Sequence, residues 1–460
     1  MSGRRVLLIC FGFVAVLGGL GGWWMVSERP RTGPYLDVLA LDGEYAVAIR
    51  HERTHDRAYV ELFGTHEGLR WQALVPRYRV PDGALGVAAS AHAVTVRFPR
   101  DGRTQIFGFA TATAQKLGTV SLGLDLAKEP DGQTPAELAT LPADDQSFEF
   151  IQPDDGPTRV YQLTVLQGRI GWERDLPAAG VGSAWITRDR LVVEQPASTT
   201  SIDRATGVAW TLDASRSCTV DAADGAPGVV LLAQPGALVV VGLDDGAATE
   251  RIALRDGDEF AGLCGRRGDR LVALMEYQGA PELWLWRTGE RPTAIPLGSG
   301  SVIGFDATPA TRVGAPGSLP LAGALDPVVP ILVRDRMRDD GAAHLVAVDL
   351  DRGAIAWTST PRAAMIGATL VRSRDTVLIR AGDDLVALDP ATRATRAIAV
   401  PGTRPLRPHH VAHGAVWLVG DDGLTSLDAA TLEVRGRFRK GPVPSQDGDA
   451  ISRLGLGTSP

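Results

Sequence analysis

The feature that most restricts this 460-residue chain is a turn that returns at a nearly fixed interval. Its fullest form reads His344-Leu-Val-Ala-Val-Asp349-Leu-Asp-Arg352-Gly353-Ala-Ile-Ala-Trp357: an apolar run, an Asp-anchored turn, and a returning run that ends in Trp. It recurs as Ser201-Ile-Asp203-Arg-Ala-Thr206-Gly207-Val-Ala-Trp210, as Leu385-Val-Ala-Leu-Asp389-Pro-Ala-Thr392, and as Leu424-Thr-Ser-Leu-Asp428-Ala-Ala-Thr431. Weaker copies lie at 59–71, 106–117, 160–172, 238–246 and 282–290. The anchoring aspartates stand 41 residues apart between Asp203 and Asp244, 40 between Asp349 and Asp389, and 39 between Asp389 and Asp428. An Asp side chain accepts backbone N–H groups two residues on, and Gly supplies the positive φ of a tight hairpin, so each turn is fixed by its own residues. Trp71, Trp172, Trp210 and Trp357 follow the turn and read as apolar plates filling the space between neighbouring units.

Between the turns lie short apolar runs, at 45–49, 238–243, 271–275, 376–379 and 415–419, punctuated by Gly, Pro and Asp-Gly. From residue 36 onward no stretch carries a sustained helical period, so the chain reads as all-β. A period near 40 residues matches the four-stranded blade of a β-propeller better than a sandwich. Nine units can be counted, and one is expected to be incomplete. The expectation is therefore a propeller of about eight four-stranded blades, within a range of seven to nine, over residues 36–438. The stretch 304–330, with Pro309, Pro316, Pro320, Pro327 and Pro330, reads as an insertion in one unit and a partner-contact loop. Residues 439–460 read as a loose tail.

Ahead of the repeats, after a short tail at 1–5, residues 6–26 run without a charge for 21 positions, enough to cross a bilayer core as a helix. Arg4 and Arg5 precede the run, Trp23 and Trp24 sit where an interfacial belt would lie, and Glu28-Arg29-Pro30-Arg31 opens a polar linker over 27–35. These flanks point to an uncleaved transmembrane signal anchor. A cleaved signal peptide is the competing reading, and it lacks an Ala-x-Ala site. The anchor would place residues 35–460 outside the cytoplasm, in the periplasm, tethered to the inner membrane. Net charge is −7 for the whole chain and −10 for residues 35–460, which argues against a nucleic-acid partner.

The candidate chemical constellations are few. His51-Glu52-Arg53-Thr54-His55 has the spacing of a zinc helix, but it lies between two strand-like runs and reads as a polar hairpin tip. His409, His410 and His413 cluster before the run 415–419 with no Cys or carboxylate near them in sequence, and read as loop or strand-edge histidines. The pairs at Asp339, Asp383 and Asp421, and Asp256-Gly257-Asp258-Glu259, read as turn residues rather than calcium ligands. Cys10 falls in the apolar run, leaving Cys218 and Cys264, which open consecutive units and are either two buried thiols or a disulfide. No catalytic, cofactor-binding or metal residue is assigned. The residues singled out are the repeat positions Asp203, Gly207, Trp210, Asp349, Gly353, Trp357, Asp389, Asp428, Trp71 and Trp172.

Asp203-x-x-Thr206-Gly207-x-x-Trp210 and Ala347-x-Asp349-x-x-Arg352-Gly353-x-x-x-Trp357 resemble the Ala-x-Asp-x-x-Thr-Gly-x-x-x-Trp motif of PQQ-like, or quinoprotein-type, β-propeller repeats. The resemblance implies a propeller of seven or eight blades, and it extends to the propeller scaffolds of outer-membrane β-barrel assembly, which are lipoproteins; this chain lacks a lipobox. The function expected is a non-catalytic, membrane-anchored protein-interaction scaffold in envelope or outer-membrane protein assembly, with no cofactor and a protein partner of unknown identity. Two alternatives accompany it. One is a channel that binds a small ligand or glycan, with Trp185, Trp284 and Trp286 as the residues to test. The other is a relic of a quinoprotein dehydrogenase; members of that type add adjacent cysteines, an Asn calcium ligand and often a haem motif. This chain has no Cys-Cys, no Asn and no haem motif.

Overall fold

The computed structural model describes residues 32–41, 44–52, 57–75, 86–89, 93–100, 103–122, 140–143, 146–151, 156–164, 169–222, 226–305, 312–313, 325–334, 342–360 and 368–439. The expected anchor at 6–26 lies outside them, as does the expected tail at 439–460 apart from Arg439, which ends a strand, Val434–Arg439. Among the described residues no helix is long and apolar enough to cross a membrane.

The chain forms nine antiparallel sheets among the described residues, each with four strands taken in chain order and one with a short fifth strand added. In chain order they span 32–74, 86–122, 140–175, 183–213, 216–253, 258–296, 301–358, 369–399 and 411–439, here called sheets 1 to 9. The count lies within the seven to nine expected and is one more than the eight favoured: the weak units are complete four-stranded sheets. The first strand, Thr32–Ala40, begins inside the stretch expected to be linker.

Position within a sheet decides composition. The second and third strands are the most buried, whether apolar as in Val229–Gln234 and Ala237–Gly242 or polar as in Ser198–Asp203, because neighbouring sheets cover both their faces. The fourth strands expose most of their residues, as in Ala354–Thr358 and Thr395–Ala399, and form the outer rim. First strands of consecutive sheets approach one another around the axis.

Nine apolar cores lie between the sheets, each shared by two consecutive ones. Val60 and Phe98 meet between sheets 1 and 2, for example, and Leu378 and Leu418 between sheets 8 and 9. The last core packs Tyr35, Val38 and Phe63 of sheet 1 against Trp417 and Val419 of sheet 9, so the ring is closed. This is a β-propeller.

The repeat motif turns out to be a coupling device between blades. Asp203 Oδ1 accepts the backbone N–H of Ala205 at 3.1 Å and of Thr206 at 2.8 Å, together with the Thr206 hydroxyl at 2.8 Å. Asp389 and Asp428 hold their turns the same way, through Ala391 and Thr392 and through Ala430 and Thr431. The indole N–H of each motif Trp then donates to a backbone oxygen in the next blade: Trp71 to Thr111 at 2.7 Å, Trp172 to Arg204 at 2.9 Å, Trp210 to Leu243 at 3.1 Å and Trp357 to Pro390 at 2.9 Å. The motif glycine makes room for the plate arriving from the blade before. A Cβ at Gly207, whose φ is +73°, would stand 3.1 Å from Trp172.

Three details correct the sequence reading. In sheet 5 the turn is anchored at Gly242, whose carbonyl accepts Gly246 N–H at 2.9 Å, and Asp245 rather than Asp244 holds the turn N–H of Ala247. Where the motif glycine is missing, Ala114, Arg393 and Leu432 occupy the same left-handed position, at φ of 60°, 63° and 58°. And the insertion is more than a surface loop: its residues Arg312–Val313 leave sheet 7 and pair antiparallel with Ala184 and Trp185 in the first strand of sheet 4, adding to the inner edge of that sheet beside the axis.

Candidate functional site

The aromatic residues that would have served a ligand in the channel are spent elsewhere. Trp185, Trp284 and Trp286 are all buried in cores between sheets 4 and 5 or 5 and 6. Trp284 and Trp286 donate their indole N–H groups to Glu282 and Glu250, both at 3.1 Å. That removes the only residues on which the channel reading rested. A cleft of about 630 Å³ opens between sheets 5 and 6 beside Arg255 and Asp258, but those two already pair at 2.9 Å and Arg255 also holds Glu282 at 2.6 Å.

His51 and Glu52 end a strand, Tyr45–Glu52, that pairs with Arg57–Gly64, while His55 lies outside the described residues. A strand pairing here replaces the helix that the zinc spacing needs. Of the acidic turns, Asp258 accepts Arg255 N–H at 2.6 Å, which is turn chemistry. Asp339 and Asp340 lie outside the described residues.

Cys218 and Cys264 sit on the first strands of sheets 5 and 6, in Arg216–Val220 and Asp258–Arg267. Their Cα atoms are 5.9 Å apart and the two are joined in a disulfide, fully buried. The alternative left open by the sequence, two free thiols, is thereby resolved.

The histidine cluster does find a carboxylate, brought from the other end of the chain. In sheet 9 the first strand is cut to two residues, Val411–Ala412, and a 3₁₀ turn, Pro408–His410, takes its place against the first strand of sheet 1. That turn presents both rings to Asp37. His409 Nε2 lies 3.0 Å from Asp37 Oδ2, and His410 Nε2 lies 2.9 Å from Asp37 Oδ1. Arg407 Nη1 stands 3.5 Å from Oδ2, and Val38 N–H donates to Oδ1 at 2.9 Å. His413 takes no part; it lies in the following hairpin at φ 42°.

Asp37, His409 and His410 are the one group of three possible metal ligands brought together among the described residues. Their surroundings favour protons over a cation. Each carboxylate oxygen of Asp37 already faces one fixed donor besides an imidazole, Val38 N–H at Oδ1 and the permanently charged Arg407 guanidinium at Oδ2. His410 Nδ1 accepts Arg407 N–H at 3.3 Å, which leaves the ring proton on Nε2, pointing at Asp37. A metal-bound Nε2 needs the proton on Nδ1, where it would oppose that N–H. Burial alone would raise the Asp37 carboxyl, but the hydrogen bonds and charge of His409 and His410 outweigh it and hold the group far below the usual carboxylate range. Burial pushes His410 down, against the raising pull of Asp37.

Beside this cluster the same interface buries a second polar set. Arg50 and Glu61, each 1% exposed, pair at 2.6 Å. Tyr35 O–H donates to Glu61 at 2.9 Å and Gln72 Nε2 donates to its other oxygen at 2.9 Å. Burial pushes the Glu61 carboxyl up.

No family model matches the chain, and no curated protein matches it. Solved structures do. It is similar to BamB from Moraxella catarrhalis at 14% identity and a TM-score of 0.41, over 75% of this chain and 91% of that one. It is also similar to a europium-containing methanol dehydrogenase, at 10% identity and a TM-score of 0.45, over 87% of this chain and 84% of that one. With a crystal structure of the eukaryotic initiation factor it shares 10% identity and a TM-score of 0.50, over 83% of this chain and 94% of that one. At such identities the likenesses say nothing of function, and the propeller rests on the sheets themselves.

Proposed function

We propose that this chain is a non-catalytic docking scaffold for protein partners, held at the membrane by residues 6–26 and working outside the cytoplasm, with envelope or outer-membrane protein assembly as its setting. The outer rim supports docking. Among the described residues no further strand pairs with the fourth strand of any sheet, and of these Ala354–Thr358 carries no charged residue while Ile355 is 44% exposed. Edge strands of this kind are normally blunted by charge, and an extended segment of a partner can add to one that is not. Ala356 O, at the bulge of that strand, is held by Arg393 at 3.2 Å, so pairing would run along the remaining groups. The Cys218–Cys264 bridge supports the compartment, because structural disulfides persist where the surroundings are oxidising.

The resemblance to quinoproteins raises a quinone and calcium, and the residues do not fit them. No adjacent cysteines exist, the two extracytoplasmic ones are consumed by a bridge between blades, and the chain has no Asn. No chemistry is therefore routed through that group. The test of the docking reading is a photo-crosslinking residue placed at Ile355 in membrane-bound protein, with Val208 on another blade as control. A discrete protein adduct at 355, reduced by Ile355→Lys, is the expected result. A chain that captures nothing from either position overturns the reading.

A further inference from the structure

Eight of the nine junctions between sheets are crossed by the chain itself. The ninth is not: sheet 1 is built wholly from residues 32–74 and sheet 9 wholly from 411–439, with no strand exchanged between them. A ring closed this way must be held at that junction by side chains alone, and its loss would cost no backbone pairing in either sheet. What holds it is the core around Trp417, the close approach of Gly436 to Thr65, where a Cβ would stand 2.7 Å from the Thr65 carbonyl, a hydrogen bond from Arg404 to Leu36 O, and the Asp37 cluster.

We propose that Asp37, His409 and His410 form an acid-released clasp that closes the ring, so that mild acidification frees sheet 1 from sheet 9 while the other junctions hold. The clasp ties the first strand of the chain to a turn 372 residues later. His410 is 2% exposed and packs against two elements. From the first strand of sheet 1 it meets Asp37 and, farther along, Tyr35; the facing strand of sheet 9, Ala415–Gly420, carries no titratable residue. Its own turn contributes His409 and Arg407, both cations when protonated. A second proton on His410 would therefore enter a buried site already facing a guanidinium. It would also place a donor on Nδ1 against Arg407 N–H and break that contact.

The sign follows from linkage. An exposed histidine in the opened form titrates near 6.5, and His410 in the closed ring is held lower, so the open form takes up the proton first. Closure is at full strength above about 6.5 and weakens as the pH falls below it. Asp37 is depressed, so its contribution persists down to about 4 and plays no part in the same window.

Hydrogen exchange read by mass spectrometry on the full chain at pH 7.5 and 5.5, corrected for the intrinsic pH dependence of exchange, tests this. Protection of 35–40 and 415–428 should fall several-fold, up to about the tenfold that one titrating histidine allows, at the lower pH, while 229–242 in sheet 5 is unchanged. His410→Gln keeps a donor near the Nε2 position without a titrating ring, and should abolish the difference. Asp37→Asn should lower protection at both pH values. Equal protection at the two pH values in the native chain, or an unaltered pH response in His410→Gln, overturns the proposal. So does stoichiometric uptake of Zn²⁺ at pH 7.5 that protects 35–40 and is lost in Asp37→Ala, for the cluster would then be a metal site.

Discussion

Two junctions of the ring are fastened in opposite ways. Between sheets 5 and 6, where the chain already passes from one blade to the next, the first strands are also joined covalently through Cys218 and Cys264. Between sheets 9 and 1, where nothing covalent passes, the first strand of sheet 9 is shortened to two residues, and an apolar core around Trp417 is supplemented by a polar cluster rather than a covalent bond. The difference teaches that strength in a ring is not placed where continuity is missing. The disulfide stiffens a junction that would persist without it, and the junction most open to loss depends on protonation.

Experiments can break this contrast in order of size. Cys218→Ser with Cys264→Ser should have the largest effect, because the bridge spans 46 residues and closing a loop of that length is worth about 4 kcal/mol in the chain-entropy account. The urea midpoint should fall accordingly, and the added exchange should appear in sheets 5 and 6. Asp37→Asn should cost about 2 kcal/mol, the order expected for hydrogen bonds to a charged group, with the loss confined to sheets 1 and 9. If its exchange instead rises evenly around the ring, the two junctions are not independent. Gly207→Ala probes an ordinary junction and should cost roughly 1–2 kcal/mol, since the new Cβ sits at a left-handed φ and presses on Trp172. Trp210→Phe keeps the plate and removes the donor to Leu243, and should cost about 1 kcal/mol by thermal unfolding. A larger loss for Trp210→Phe than for Asp37→Asn would reverse the ranking of the junctions.

What could be read from the sequence was whatever a few consecutive residues settle among themselves. The Asp203, Asp349, Asp389 and Asp428 turns are closed by bonds to groups two or three residues away, so their pattern survives as text. Nine units can be counted in the sequence, and only the usual blade number of propellers lowers the count to eight; the missing motif glycine, replaced by Ala114, Arg393 and Leu432 in the same left-handed position, merely makes three copies look weaker. In sheet 5 the doublet Asp244-Asp245 drew the anchor two residues past Gly242. The Asp37 cluster was illegible for another reason: its carboxylate and imidazoles meet only once the ring has closed, 372 and 373 residues apart. The position of Cys218 and Cys264 at the starts of consecutive units did hint at their pairing, since first strands of neighbouring blades converge on the axis.

Because each sheet draws its four blade strands from one continuous segment, with only Arg312–Val313 crossing from the insertion in sheet 7 to sheet 4, the ring can be reconnected at almost any junction. Joining residue 439 to residue 32 and cutting at a turn between any two other sheets would leave all nine sheets intact. By the same token, a whole blade can be gained or lost by duplication or deletion of one segment of about 40 residues without rethreading its neighbours. A count of nine, beyond the usual range of four to eight, needs no more than one such event and a ring that can be reclosed by side chains.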